Sequence, residues 1–548
     1  MPGSIERLLS TRRPFLLLTV LCLLLWLPGF FNLPPTDRDE SRFVQATRQM
    51  LESGDFVSIQ NGTTARNQKP IGIYWLQLPA AAAARALGLA RENPVWPYRL
   101  PSLLGGILGV CATYAVGRRL LGHRVAMLGA SMLGASMVLA VETHIAKTDA
   151  ALLAATTVAM AGLAAAYLGP LPRWGWLGFW LALGVGILIK GPVTPMVVAL
   201  TAAALAIADA KRASPRWLLR LRPALGVLVM LAVTLPWFIA IGVRTGGAFF
   251  EQSLGADLAD KVAGGDDGHG GWPGWHLLLL SMTLFPSGCV ALPALPAAWR
   301  ARRLPAMRFL LAWAIPSWLV FEAVPTKLPH YTLPLLPALC LLGAAWALDR
   351  RPTPVWLQRV TLGLSVAAAA VFGLGAAALP AVIGVGETWS ALLGAPALLA
   401  AGVIAWMLLR RGFLAALMAV PLLIWSVIGL ELPLLPQLWI APRVAMLLEQ
   451  NWPGGIAFAA AGFAEPSLVF LCGTDTKLLA NGRDGARFLA AGGPHAVLVD
   501  GRDTVDFMGE AKALAQAPRL VAEIDGFNYS NGRRVKLRLF ANASSKSQ

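Results

Sequence analysis

The chain has 548 residues, 56% of them hydrophobic and 14% charged, which excludes a soluble protein of ordinary composition and predicts a polytopic α-helical membrane protein. Its formal net charge of +17 does not point to nucleic acid, because the arginines fall in short clusters between apolar runs, where the positive-inside rule places them. The five cysteines, Cys22, Cys111, Cys289, Cys340 and Cys472, have no paired metal-ligand spacing and indicate neither a disulfide framework nor a zinc site.

Arg7, Arg12 and Arg13 precede an apolar run from Phe15 to Leu33, read as an uncleaved anchor with its N-terminus in the cytoplasm. Directly after it comes the dense cluster Asp37-Arg38-Asp39-Glu40-Ser41-Arg42. Taking roughly 20 apolar residues per span, further candidates fall near 99–117, 124–142, 149–168, 174–190, 192–209, 221–242, 274–296, 307–323, 328–348, 359–384, 389–409 and 413–433, about thirteen in all. One more apolar stretch, Ile71 to Ala90, either crosses or lies on the membrane. If it does not cross, the clusters Arg118-Arg119 to Arg124, Arg173, Lys211 to Arg222, Arg300 to Arg308, Arg350 to Arg359 and Arg410-Arg411 share one side with the N-terminal arginines. If it crosses, they all face outward, against the rule. The stretch is therefore read as a juxtamembrane or re-entrant helix in a first periplasmic loop, 34–98.

That choice gathers the acids on the outer surface. The first loop carries Asp37, Asp39, Glu40, Arg42 and Lys69; the next carries Glu142, His144, Lys147 and Asp149. Lys190-Gly191-Pro192 forms a turn, a loop at about 243–273 holds Glu251, Asp257, Lys261, Asp266, Asp267 and His269, and a last turn holds Glu322, Lys327, His330 and Tyr331. Residues 1–442 form the membrane domain. Residues 443–548 read as a small periplasmic α/β domain, with strands expected at 456–460, 468–472, 496–499, 520–524 and 535–540 and helices near 482–491 and 508–516.

Carboxylates beside lysines at a membrane surface suit a reaction on a lipid-linked phosphate: cations hold the phosphate as it leaves, and a carboxylate orients or deprotonates the acceptor. Asp39 with Lys69 fits that division. Plainer readings stand beside it. Asp39 and Glu40 would also cap a helix from about Glu40 to Leu51, and Lys69 would snorkel to the interface. Glu142, His144 and Asp149 would end two helices, Lys190 would serve a turn, and His330-Tyr331 would anchor at the interface. No cofactor is expected. A divalent metal is compatible with the 243–273 loop, where Asp267 and His269 are weak candidates, but no metal-ligand motif supports it.

The order Asp39-Glu40-x-Arg42, Met50-x-x-Ser53-Gly54-Asp55, Lys69-Pro70, Tyr74-Trp75-Leu76, Arg99-Leu100-Pro101, Glu142 with Asp149, Lys190-Gly191-Pro192 and Thr326-Lys327-x-Pro329-x-Tyr331 resembles the bacterial C-type (GT-C) glycosyltransferases of the protein O-mannosyltransferase superfamily. The resemblance is greatest to the transferases that add 4-amino-4-deoxy-L-arabinose to lipid A. The late run Gly526-Phe527-Asn528-Tyr529-Ser530-x-Gly532 belongs to the same likeness. It implies thirteen spans, juxtamembrane helices, a periplasmic α/β domain, and inverting transfer of a sugar from undecaprenyl phosphate to a lipid or glycan acceptor in the inner membrane. Asp39 matches the catalytic aspartate and Lys69 the phosphate-contacting lysine; Arg42, Glu40, Glu142, Asp149, Lys190, Lys327 and Tyr331 fall at motif positions near the cavity, while Asp37 and Arg38 match nothing. Where many such enzymes have Glu-Lys-Pro-Pro, this chain has Gln68-Lys69-Pro70-Ile71, which leaves the sugar and the acceptor open, including protein or glycan acceptors. The competing class is a lipid-linked sugar flippase, whose site is expected near the midplane between repeated halves. No repeat is visible here.

Overall fold

The computed structural model describes residues 6, 9–89, 94–210, 215–257, 270–349, 351–384 and 392–542. Asp266, Asp267 and His269 lie outside them. Seven described helices are long and apolar enough to cross a membrane: Trp96–Leu121, Asp149–Leu168, Pro223–Thr245, Pro305–Ala323, Pro329–Asp349, Val355–Ile383 and Phe413–Leu434. An eighth is the pair His123–Gly134 and Met137–Thr143, bent by 60°. Four further apolar helices, Pro14–Trp26, Gly175–Lys190, Val193–Asp209 and Ala395–Arg410, have fewer than 18 residues, and the stretch expected at 274–296 is broken into Trp275–Thr283 and Gly288–Arg300. The thirteen apolar runs thus all carry helix, but only this subset has spanning length.

Burial separates the centre from the rim. The best 18-residue windows of Pro329–Asp349 and Asp149–Leu168 are 78% and 72% buried, against 22% for Pro223–Thr245 and 33% for Val355–Ile383. The first two form the middle of the bundle, and the last two turn apolar side chains outward, as lipid-facing helices do. Both helices at the centre bring polar ends to the same place: Asp149 begins one, and His330 and Tyr331 lie in the 3-10 turn that begins the other.

Between the first helix and Trp96–Leu121 run two shorter ones. Arg38–Ser53 starts where Asp37 Oδ1 accepts the Asp39 amide at 2.6 Å and ends at Gly54, whose φ of 72° permits the left-handed cap. The cap is therefore Asp37 rather than Asp39, and the helix begins two residues earlier than the sequence suggested. Gly72–Ala86 follows; its 15 residues reach about 22 Å, short of a bilayer core. A Cβ at Gly72 would lie 2.6 Å from the Leu188 carbonyl, so only glycine lets this helix start against the last turn of Gly175–Lys190. Lys69, just before this helix, and Lys190, at the end of the other, line one cavity.

The C-terminal part holds a five-stranded sheet in the order Lys477–Leu479, Ala457–Ala461, His495–Asp500, Arg533–Ala541, Arg519–Asn528, with the first three strands parallel and the last two antiparallel. Alternate residues serve opposite cores. Phe458, Ala460 and Leu498 pack with Ile440, Val444 and Leu468, whereas Ala459, Ala461, Val497 and Val499 pack with Ala486, Phe507 and Ala511. Both faces are covered by helices, which explains the continuous apolar strands. The run 468–472, expected as a strand, is the last part of a helix, Pro466–Cys472. Its short apolar run has no decisive period, and the proline at its first turn is the helix signal.

Candidate functional site

Two neighbouring residues of the helix Arg38–Ser53 go to different environments. Consecutive helical side chains point about 100° apart, and here Glu40 turns inward and Asp39 outward. Glu40 and Arg99 are both 0% exposed. Arg99 Nε donates to Glu40 Oε1 at 2.8 Å and a terminal nitrogen donates to Oε2 at 3.1 Å. The guanidinium also donates to the carbonyls of Leu33 and Pro34, each at 2.7 Å. Glu40 further accepts the amides of Thr36 at 2.7 Å and Ala146 at 2.8 Å. This knot ties the first helix, the charged loop, the span Trp96–Leu121 and the loop at Ala146 to one point. Glu40 lines neither of the cavities described next.

Asp39 is half exposed and faces a cavity of about 900 Å³. It pairs with Arg42 at 3.3 Å and with Arg66 at 3.4 Å. Burial pushes its carboxyl up, but Arg66, Lys147 and Arg42 outweigh burial and hold it below its ordinary value. Asp37, also on the cavity wall, pairs with Lys147 at 3.2 Å. Burial works against the Lys147 charge, but Glu142, Asp37 and Asp149 prevail and raise it above the ordinary lysine value. Glu142 and His330 complete the polar wall, with Glu142 Oε1 3.4 Å from His330 Nδ1. Met137, Val141, Leu279, Met282 and Phe372 give the remaining lining an apolar character.

A second cavity, about 580 Å³, contains Lys69, Asp149, Lys190 and Tyr331 at its polar end and Val193, Met196, Phe238, Phe249, Phe250 and Phe321 over the rest. Lys190 Nζ donates to Asp149 Oδ1 at 2.5 Å and stands 5.3 Å from the centre of the Tyr331 ring. Asp149 Oδ2 lies 3.8 Å from His330 Nε2. His330 therefore stands between a carboxylate of the first cavity and a carboxylate of the second.

The structure brings Asp39, Arg42 and Glu142 to the first cavity and Lys69, Asp149, Lys190 and Tyr331 to the second. Asp39 and Lys69 do not line the same cavity, and Asp39 pairs instead with Arg66, three residues before Lys69. Lys327 lines neither: its ammonium donates to the carbonyls of Glu322 and Val324, each at 2.7 Å, which closes the turn before His330. Sequence reasoning set aside Asp37 and Arg38, which do line the first cavity, and gave no role to Arg66. Asp37 was detectable as the Asx cap immediately before the helix, accepting the amide two residues on. Arg66 follows a two-residue β-hairpin, Gln60–Asn61 with Thr64–Ala65, and no spacing marks it. Among the described residues no group of three or more His, Cys, Asp or Glu side chains is arranged to hold a metal ion.

Residues 69–239 match the family model described as dolichyl-phosphate-mannose-protein mannosyltransferase. An undecaprenyl phosphate-alpha-4-amino-4-deoxy-L-arabinose arabinosyl transferase of Pseudomonas fluorescens is 27% identical over 336 residues, and one of Pseudomonas aeruginosa is 29% identical over 358 residues. These matches take in 60% and 62% of this chain but only 56% and 60% of the relatives' own lengths. Among solved structures, ArnT from Cupriavidus metallidurans bound to undecaprenyl phosphate superposes with a TM-score of 0.75 at 22% identity, covering 98% of this chain and 100% of the other. The same protein in the apo state gives 0.72 at 23% identity. Over three fifths of its sequence this multi-pass membrane protein is similar to the aminoarabinose transferases, and over nearly all of its length it shares the fold of the solved ArnT structures.

Proposed function

We propose that the protein is a glycosyltransferase of the bacterial inner membrane that moves a sugar from an undecaprenyl-phosphate carrier to an acceptor at the periplasmic face. The favoured sugar is 4-amino-4-deoxy-L-arabinose and the favoured acceptor a lipid A phosphate; a protein or glycan acceptor is the second reading. In this topology about thirteen helices cross, the N-terminus is cytoplasmic, residues 1–442 form the membrane domain and residues 443–548 lie in the periplasm. One observation carries the reading: a polar cavity with an ionised aspartate and an apolar cavity lined by two lysines meet at His330, which stands between Glu142 of the one and Asp149 of the other.

The apolar cavity suits the prenyl chain. Moving that chain from bilayer into an apolar cavity gains little, since both are hydrocarbon-like, so the phosphate contacts at Lys69 and Lys190 decide donor affinity. During transfer the bond between the anomeric carbon and the carrier phosphate oxygen breaks, and an acceptor oxygen forms the new bond. Charge grows on the departing phosphate, and the lysine ammonium groups stabilise it there. Asp39 orients the acceptor and the sugar. An acceptor phosphate is already ionised, so proton removal matters only for a hydroxyl acceptor.

The test is sugar release from undecaprenyl-phosphate donors by purified Asp39→Asn and Lys69→Ala. Asp39→Asn is expected to lower kcat, by about 10²–10⁴ where the acceptor is a hydroxyl that must lose its proton and by less where it is a phosphate, and Lys69→Ala to weaken donor binding. Undiminished turnover in both variants sinks the assignment. Mass spectrometry of lipid A with and without the gene decides the acceptor: lipid A unchanged under inducing conditions favours protein or glycan.

A further inference from the structure

The polar cavity is not built by the membrane helices alone. Tyr529 and Ser530, in the turn between the strands Arg519–Asn528 and Arg533–Ala541, lie on its wall together with Arg38 and Arg42. We infer that this C-terminal turn is the part of the acceptor site that selects the acceptor, held in place by Glu465 and Arg38, so that the α/β region sets substrate choice while the first loop and the membrane helices carry the chemistry. The inference rests on the glycosyltransferase reading and names which residues choose the acceptor.

Three features support it. Glu465 is 4% exposed, and its carboxylate accepts the Ser530 hydroxyl at 2.5 Å and the Tyr529 hydroxyl at 3.4 Å. An Asx turn fixes the next step of the backbone, with the Ser530 amide donating to Asn528 Oδ1 at 2.9 Å. Across the boundary, Arg38 pairs with Glu465 at 3.6 Å and donates to the Ala464 carbonyl at 3.4 Å. Arg38 begins the helix that presents Asp39, and that helix is tied to the C-terminal region again further along. Gln45 donates to Thr474 Oγ1 at 3.0 Å, Arg48 to the Phe470 carbonyl at 2.7 Å, and Thr474 to Glu52 at 2.9 Å. The turn and the aspartate are thus fixed to one another through both ends of a helix.

The lining combines Tyr529 and Ser530, whose hydroxyl oxygens can still accept a hydrogen bond, with the apolar residues Met137, Val141 and Leu279. Arg38, Arg42 and Lys147 supply cations. Such a lining takes an amphiphile with an anionic, hydroxyl-rich headgroup, and the turn touches the headgroup rather than the carrier.

The experiment labels Ser530→Cys with a bulky maleimide after folding, with labelled wild type as the control because it carries five native cysteines. Lipid A binding and undecaprenyl phosphate binding are measured in nanodiscs, and acceptor KM and kcat where turnover is seen. We expect at least a tenfold loss of lipid A affinity, or rise in acceptor KM, with undecaprenyl phosphate affinity within twofold of the control. Glu465→Gln, which keeps an acceptor for Ser530 but removes the ion pair with Arg38, is expected to raise acceptor KM more than it lowers kcat. Wild-type lipid A affinity in the labelled protein overturns the inference, as does an equal loss of donor and acceptor binding, which signifies general damage. Absence of sugar transfer by the wild type refutes the glycosyltransferase reading instead, and the binding arm still decides the role of the turn.

Discussion

Replacing Arg99 by Met is the sharpest test of how the site is held together. In the native chain the Glu40 carboxylate sits at zero exposure with Arg99 as its ionic partner. Methionine has similar length and no charge, so it leaves the carboxylate buried with only the Thr36 and Ala146 amides and the Thr36 hydroxyl as donors. It also strips the Leu33 and Pro34 carbonyls of their donors. Removing one partner of a buried pair costs about 3–5 kcal/mol, a fall of about 150- to 5,000-fold in the folding equilibrium. The double variant Glu40→Leu/Arg99→Met removes both charges together and is expected to recover a large part of that loss, because a buried pair replaced by apolar groups is often near neutral. Unfolding of purified protein in mixed micelles, titrated with SDS, gives the free energies for a double-mutant cycle. Wild-type stability in Arg99→Met refutes the reasoning. So does a Glu40→Gln variant that keeps full stability but loses donor affinity, since that places Glu40 on the substrate rather than in the knot.

Further expectations concern charge, volume and topology. Arg66 is the largest of the cationic influences that keep the Asp39 carboxyl below its ordinary value. The carboxylate is therefore present down to low pH and is lost only as pH falls through that depressed value. Arg66→Met leaves burial less opposed, so the acid limb of kcat/KM moves to higher pH; an unmoved limb argues that Asp39 is not the group being titrated. Val193→Trp narrows the apolar cavity and is expected to weaken binding of undecaprenyl phosphate more than that of a two-isoprene phosphate, read by competition binding; equal losses place the prenyl chain elsewhere. A reporter at Gly122, just after Trp96–Leu121, is expected to give a cytoplasmic signal, and a periplasmic signal overturns the non-crossing assignment of Gly72–Ala86.

What the sequence made legible follows from which forces act locally. Apolar runs report the bilayer directly, residue by residue, so the positions of the membrane helices could be read without a structure. The division into two cavities could not. It depends on Gly72 meeting the Leu188 backbone and on His330 standing between Glu142 and Asp149, and these contacts join segments more than a hundred residues apart. The strand expected at 468–472 failed for the related reason that a five-residue apolar run has no period of its own; packing against the helix Arg38–Ser53 makes it helical.

The pair Asp39-Glu40 shows where local reasoning stops and what replaces it. Adjacent helical side chains point about 100° apart, and here Asp39 lines the cavity while Glu40 is buried against Arg99. Which of the two is buried is decided by the partner that arrives from elsewhere in the chain. Arg99 lies in the first turn of the span Trp96–Leu121, where the guanidinium reaches the carbonyls of Leu33 and Pro34. A carboxylate must meet it there, because an unpaired buried guanidinium is too costly. Glu40 fills that place, and the helix rotation this fixes turns Asp39 toward the cavity and its cations. The orientation of the proposed catalytic carboxylate is thus set by a neighbour that touches no substrate. On this account Glu40→Gln should lower kcat through a displaced Asp39 while Arg66→Met alters mainly its ionisation, and the two effects separate by pH: the first lowers the whole profile, whereas the second shifts its acid limb.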